Sequence, residues 1–129
     1  MTTSLKIAQW NANGLSHHQL ELISFIKNHC IDIVLISETH FTIKSAMTIP
    51  GYVIYDTKHP SGRAHGGTAV IVSNKIKHHE LQKHNEDYLQ ATSIVVEDWR
   101  GPMTVSSIYC PPRHTISQEQ YSDFFNGTI

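Results

Sequence analysis

Hydrophobic and polar positions change period several times along this chain, and each change marks an element. Residues 5–10 alternate, with Leu5, Ile7 and Gln9 on one face and Lys6, Ala8 and Trp10 on the other, the two-residue period of a short strand. Asn11-Ala12-Asn13-Gly14 stops it with residue types that tolerate turn geometries. Ser16 followed three positions later by Gln19 reads as a capping box. Leu22, Ile26 and Cys30 at four-residue spacing, with Ile23 beside them, then predict a helix over residues 17–29. Residues 31–36, Ile-Asp-Ile-Val-Leu-Ile, form an apolar run too short for a second helix and read as a strand buried on both faces.

Beyond Pro50-Gly51, residues 52–55 read as a short strand and residues 58–67, with Pro60, three glycines, Arg63 and two histidines, as an exposed loop. Residues 68–73 form a buried-looking strand, and Gly66-Gly67 just before it marks a close backbone approach. Two β-rich runs, residues 89–97 and 103–109, flank a hairpin connection, Asp98-Trp99-Arg100-Gly101-Pro102. Pro111-Pro112 ends extension. Ser117 with Gln120 spells another helix start, followed by a stripe of Tyr121, Phe124 and Phe125. The result is about six strands and two helices in a layered α/β arrangement, without repeat or linker. The chain stops about two turns into the last helix, so residues 1–129 are expected to be part of one domain.

Composition narrows this only slightly. With 129 residues, 40% hydrophobic and 16% charged, the chain suits one domain rather than a disordered segment. No apolar run approaches a membrane span, and the first eight residues lack the pattern of a signal peptide. Two cysteines, Cys30 and Cys110, do not make a disulfide scaffold and read as thiols of a reducing compartment. The net charge of −1 argues against a strongly basic nucleic-acid coat, but the charge is segregated. Residues 41–84 carry six basic and two acidic side chains, and residues 85–129 carry two basic and six acidic. The middle of the chain can therefore present a basic face, unless Lys75, Lys77 and Lys83 merely border a solvated strand end.

Candidate chemistry gathers at strand ends, where α/β folds place their sites. Glu38 follows one strand and Asn11 and Asn13 follow another. One carboxylate beside amide side chains suits Mg²⁺, which keeps several waters and binds through few carboxylates and substrate phosphate oxygens. The same asparagines equally suit a turn, and Glu38 equally suits a solvated loop. Tyr109, Arg113 and His114 flank a rigid Cys110-Pro111-Pro112 segment that can hold a phenol and a guanidinium toward a phosphate, although Tyr109 can equally be packing. Trp99, Tyr52 and Tyr55 could stack on bases, but Tyr52 and Tyr55 are expected inside. Ten histidines occur mostly without zinc-ligand spacing, and no Gly-rich nucleotide loop or Gly-x-Ser-x-Gly motif is present.

In order, the segments Gln9-Trp10-Asn11-Ala12-Asn13-Gly14-Leu15, Ser37-Glu38-Thr39-His40, Ile49-Pro50-Gly51-Tyr52, Gly66-Gly67-Thr68-Ala69-Val70 and Ile108-Tyr109-Cys110-Pro111-Pro112 resemble the endonuclease/exonuclease/phosphatase superfamily. The likeness is strongest to the apurinic-like endonuclease domain of jockey-type non-LTR retrotransposons. That resemblance implies a four-layer sandwich of two mixed β-sheets flanked by helices, truncated here to its N-terminal part. It further implies phosphodiester hydrolysis with Mg²⁺, or Mn²⁺ in its place. By motif, Glu38 and Asn11 match the metal site, Asn11, Glu38 and Tyr109 the catalytic set, and Asn13 and Arg113 positions toward the substrate phosphate. The implied partners are DNA, nicked in the nucleus to prime reverse transcription, and a longer polyprotein carrying a reverse transcriptase.

Members of this group continue with a Gly-Asp-Phe-Asn segment that activates the attacking water and a Ser-Asp-His segment that engages the phosphate. Neither string occurs in these 129 residues, and Asp123-Phe124-Phe125-Asn126 belongs to the last helix signature. The chain is therefore expected to be inactive as it stands, with apolar sheet surface and strand edges left open. The alternatives are a non-catalytic fragment or domesticated nucleic-acid-binding remnant, and a phosphohydrolase of the same fold acting on non-DNA phosphates.

Overall fold

A computed structural model describes residues 4–98, 100–112 and 115–128. Trp99, Arg113 and His114, singled out above, lie outside the described residues. Among the described residues eight strands and two α-helices follow one another: β1 (Ile7–Asn11), α1 (Gln19–His29), β2 (Ile33–Ser37), β3 (Tyr52–Thr57), β4 (Thr68–Ser73), β5 (His78–Glu80), β6 (His84–Glu86), β7 (Leu89–Asp98), β8 (Gly101–Tyr109) and α2 (Gln118–Thr128).

The first sheet has the order β1-β2-β4-β3, with β1 and β2 parallel and the other neighbours antiparallel. In the second, β7 is the spine. Its one edge carries β5 and β6 and its other edge carries β8, all antiparallel. Side-chain alternation along the strands then builds the layers. Val34 and Ile36 of β2 and Ala69 and Ile71 of β4 meet Leu22 and Ile26 of α1. The opposite faces, through Ile33, Val70 and Val72, meet Ile94, Val96 and Val105 of the second sheet. On the outside of β7, Leu89 and Ala91 receive Phe124 of α2. The molecule is thus an α/β sandwich of two sheets flanked by helices, in four layers, as the family resemblance implied.

The interface between the sheets changes character along β7. Ile94 and Val96 make it apolar at one end, whereas Gln90 and Thr92, both fully buried, make it polar at the other. There the hydroxyls form a chain: Thr92 Oγ1 donates to Thr57 Oγ1 at 2.8 Å and lies 2.9 Å from Thr68 Oγ1, while Thr57 donates to the Ala91 carbonyl at 3.0 Å. Satisfying these groups with one another removes most of the cost of burying them.

Several local expectations change. The expected capping box at Ser16 and Gln19 does not form. Leu15 is fully buried and donates its backbone N–H to Thr39 O at 2.9 Å, so residues 15–17 make a 3-10 turn. The helix then starts two residues late, at Gln19. Cys30 is an exposed C-cap in left-handed conformation (φ 51°) rather than part of the apolar stripe. At α2 the box does form: Gln120 N–H donates to Ser117 Oγ at 3.1 Å and Ser117 N–H to Gln120 Oε1 at 2.9 Å. The short strands β5 and β6 are additional to the roughly six expected. Tyr52 and Tyr55 pack against the two cores, and no helix among the described residues is long and apolar enough to cross a membrane.

Candidate active site

Because β1 and β2 are parallel and paired in register, Asn11 opposite Ser37, both strands end on the same rim of the sheet. Glu38 is the next residue of the chain, and it turns back with φ 55°. Three of the four non-glycine residues with positive φ among the described residues lie here, namely Asn13, Glu38 and His40. Left-handed backbone costs each on the order of 1 kcal/mol, so the surroundings must hold it. They do so through main-chain bonds. Gly14 N–H donates to Glu38 O at 2.9 Å, Thr39 N–H to Gly67 O at 3.3 Å and His40 N–H to Gly66 O at 3.0 Å.

Around the Glu38 carboxylate three side chains converge. Asn11 Nδ2 donates to Oε2. The Tyr109 hydroxyl donates to Oε1 at 3.4 Å, and His40 Nε2 lies 3.8 Å from the same oxygen. Tyr109 arrives by the alternation of β8. Val105 faces the first sheet, Ser107 donates to Ile36 O at 2.6 Å, and Tyr109, two residues on, completes the row at the rim. Burial, then the Glu38 charge and its hydrogen bond, push the Tyr109 phenol above its ordinary value, so it stays protonated and donating at neutral pH.

Of the five residues expected here, Asn11, Glu38 and Tyr109 meet directly. Asn13 sits differently: its backbone N–H donates to Asn11 Oδ1 at 3.1 Å, fixing the Asn11 amide, while its own side chain is exposed. Three histidines complete the site beyond that set. His40, His59 and His65 line a cleft of about 270 Å³ with Glu38, Gly66, Tyr109, Pro111 and Pro112. The Ser-Glu-Thr-His string could have indicated His40; His59 and His65 are delivered by the 58–67 loop, whose approach depends on tertiary contacts.

The donor set fits a hard divalent cation held by few ligands. Glu38 is about one-quarter exposed toward the cleft, and each of its oxygens keeps a lone pair beyond the bonds named. Asn11 Oδ1 likewise accepts a single hydrogen bond and has room for a second contact. No group of three or more His, Cys, Asp or Glu able to hold a metal occurs among the described residues. With one carboxylate and one amide oxygen, the set offers few ligands, and an ion bound there would need water or other oxygens for the rest of its shell.

Known proteins resemble this chain in sequence and fold. Residues 8–126 match the model of the endonuclease/exonuclease/phosphatase family. The chain is 34% identical over 122 residues to the RNA-directed DNA polymerase from mobile element jockey of Drosophila melanogaster, covering 95% of this chain and 13% of that protein. Among solved structures it is similar to the endonuclease domain of TRAS1, a telomere-specific non-LTR retrotransposon. There the TM-score is 0.69 at 16% identity, over 95% of this chain and 52% of that one. It is also similar to the AP endonuclease LMAP of Leishmania major, with a TM-score of 0.64 at 15% identity, over 81% of this chain and 40% of that one. The chain thus spans about half or less of the length of these relatives, yet the matched segment holds both sheets and the Glu38 rim: it belongs to the endonuclease/exonuclease/phosphatase family.

Proposed function

We propose that residues 1–129 are the amino-terminal part of a divalent-metal-dependent phosphodiesterase domain that nicks DNA in the nucleus, within a longer protein carrying a reverse transcriptase. The observation that carries this reading is the convergence of Asn11 and Tyr109 on the single carboxylate of Glu38. The strand-end position and the jockey-type relatives support it.

Glu38 and Asn11 Oδ1 would hold Mg²⁺, or Mn²⁺, and the bound ion would supply positive charge to the phosphodiester oxygens. Asn11 Nδ2 orients one carboxylate oxygen of Glu38 and Tyr109 the other, so both act as positioning residues for Glu38. The Tyr109 hydroxyl has one proton, so it would donate to a phosphate oxygen only in place of its bond to Glu38. Asn13 at the exposed turn and Arg113, by its place in the sequence alone, are assigned to the substrate phosphate.

One carboxylate with an amide gives little charge to compete with the hydration shell of the ion. No residue of this set orients an attacking water, and lacking one such element costs about 10²–10⁴ in rate. The 129-residue chain is therefore expected to be inactive by itself. The single-carboxylate site also favours a second reading, a nucleic-acid-binding remnant without catalysis.

Two measurements test the assignment. Mn²⁺ binding followed by electron paramagnetic resonance should be weak in the wild-type chain and lost in Glu38→Gln. Equal binding in both would overturn the metal role of Glu38. Purified chain with Mg²⁺ should leave supercoiled plasmid intact; nicking that disappears in Glu38→Ala would refute the claimed inactivity.

A further inference from the structure

The three histidines that line the cleft differ in what holds their rings. His59 Nδ1 and His65 Nε2 lie 2.8 Å and 2.9 Å from Ser61 Oγ, and the two rings stack with centroids 3.9 Å apart. His40 stands outside that cluster. Among the described residues neither of its ring nitrogens makes a hydrogen bond, and its Nε2 lies 3.8 Å from Glu38 Oε1.

The backbone brings these two side chains together. Glu38 and His40 both have φ 55°, and Thr39 between them is fully buried. The pair thus flanks a residue turned inward, and both members line the cleft, with side chains 24% and 26% exposed. Main-chain bonds hold the turn: His40 N–H donates to Gly66 O at 3.0 Å, and Phe41 N–H donates to Thr39 Oγ1 at 3.3 Å. Gly14, at φ +98°, leaves space for the ring, since a Cβ there would come within 3.3 Å of His40 Nδ1. One ring nitrogen therefore lies against Gly14 and the other faces the carboxylate.

A gap of 3.8 Å is too long for a hydrogen bond. It suits a shared ion. Bonds of about 2.1 Å to a first-row metal put two ligand atoms at most about 4.2 Å apart, and about 3.4 Å apart around a tetrahedral centre. A neutral imidazole protonated on Nδ1 presents a lone pair at Nε2, while Glu38 supplies the charge that draws the ion. No third His, Cys, Asp or Glu joins this pair in a metal-holding group among the described residues, which leaves Asn11 Oδ1 and water for the rest of the shell.

We infer that His40 Nε2 is a direct ligand of the divalent ion assigned above to Glu38. It puts a nitrogen where the Glu38–Asn11 set leaves room for water or another oxygen. Mg²⁺ is bound through oxygen, whereas first-row ions accept imidazole, so the site selects Mn²⁺ over Mg²⁺. This rests on the metal role of Glu38 proposed above and adds to it a ligand and a selectivity.

The test is electron spin-echo envelope modulation of Mn²⁺ bound to the full 129-residue chain. The wild-type signal should carry the ¹⁴N modulation of a coordinated imidazole, and growth on ¹⁵N-labelled histidine should remove it. His40→Asn should also lose the modulation and bind Mn²⁺ at least about tenfold more weakly. Its Mg²⁺ affinity, read by competition against Mn²⁺, should stay unchanged. Asparagine tolerates the left-handed backbone of this position, and far-UV circular dichroism checks the fold. Should the variant unfold, His59→Ala and His65→Ala decide: modulation kept in both supports His40, and modulation lost in either overturns it. Mn²⁺ bound without ¹⁴N modulation, or with modulation that survives in folded His40→Asn, overturns the assignment and leaves the Glu38 reading standing. A wild-type chain that binds no Mn²⁺ overturns both.

Discussion

Gly67 offers a way to measure how tightly the rim of the sandwich is built. It has φ +84°, and a Cβ on it would lie 2.6 Å from Thr39 Oγ1 and 3.2 Å from Thr57 O, both in fully or almost fully buried residues. Gly62 has nearly the same conformation, φ +76°, with nothing within 4 Å of its Cβ position. Alanine at either site meets the same backbone penalty, roughly 1–2 kcal/mol for left-handed geometry. At Gly67 it must in addition displace Thr39 or the β3 carbonyl, an overpacking cost of about 1–3 kcal/mol. Gly67→Ala should therefore be less stable than Gly62→Ala by about 1–3 kcal/mol, a large fraction of the 5–15 kcal/mol typical of a domain. Urea unfolding followed by circular dichroism at low protein concentration, with equal slopes for both variants, measures this difference directly. Because Thr39 N–H is held by Gly67 O, the same variant should also weaken Mn²⁺ binding at Glu38, whereas Gly62→Ala should not. Equal destabilisation in the two variants would mean that Thr39 is not wedged against Gly67, and the account of how the Glu38 turn is held would fail.

Other outcomes follow from single contacts. Ser117→Ala should destabilise α2 by about 1 kcal/mol and lower hydrogen-exchange protection of the Gln120 amide, whereas Ser117→Asp should restore most of both. Exchange that is unchanged in the alanine variant would show that the capping box contributes nothing. Burial, then Asp32 and Cys30, raise the phenol of Tyr52 above its ordinary value near 10. The unfolded chain thus ionises first, and the associated stability is complete below pH 10 and falls as pH rises through the folded value. Tyr52→Phe should flatten that alkaline decline in urea midpoints, and a decline as steep as wild type would refute the assignment. Along β8, Met103 and Ile108 are each 41% exposed and the edge away from β7 carries no strand among the described residues. Sedimentation velocity should show concentration-dependent self-association that Ile108→Lys reduces. A strictly monomeric wild-type chain at high concentration would count against it.

What the sequence revealed, and what it concealed, follows from how far each feature depends on distant partners. Residues 69–72 are an unbroken apolar run and became the heart of β4, buried from Thr68 to Val72. The Ser117 box depends only on its own helix and formed, whereas the similar string at Ser16 lost to Leu15, drawn inward by a bond to Thr39, 24 positions away. Strands β5 and β6, three residues each of His, Asn and Glu, have no apolar rhythm at all. They exist because β7, ten residues long, offers an edge for both. At the site, Asn11 and Glu38 were legible because strand ends attract attention, and Tyr109 because of its position closing a β run. The imidazoles of His59 and His65 were not, since their place over the cleft depends on Gly66, Gly67 and the buried amide of Gln90, which accepts the Gly67 N–H at 3.2 Å.

The two-part interior between the sheets has an evolutionary corollary. Greasy contacts among Ile33, Ile94 and Val105 are non-directional, while the relay of hydroxyls through Thr57, Thr68 and Thr92 depends on direction as well as distance. Drift in the oily end can therefore accumulate as a matter of overall robustness. The three threonines work instead as a dowel that keeps Glu38 and Tyr109, carried by different sheets, facing each other.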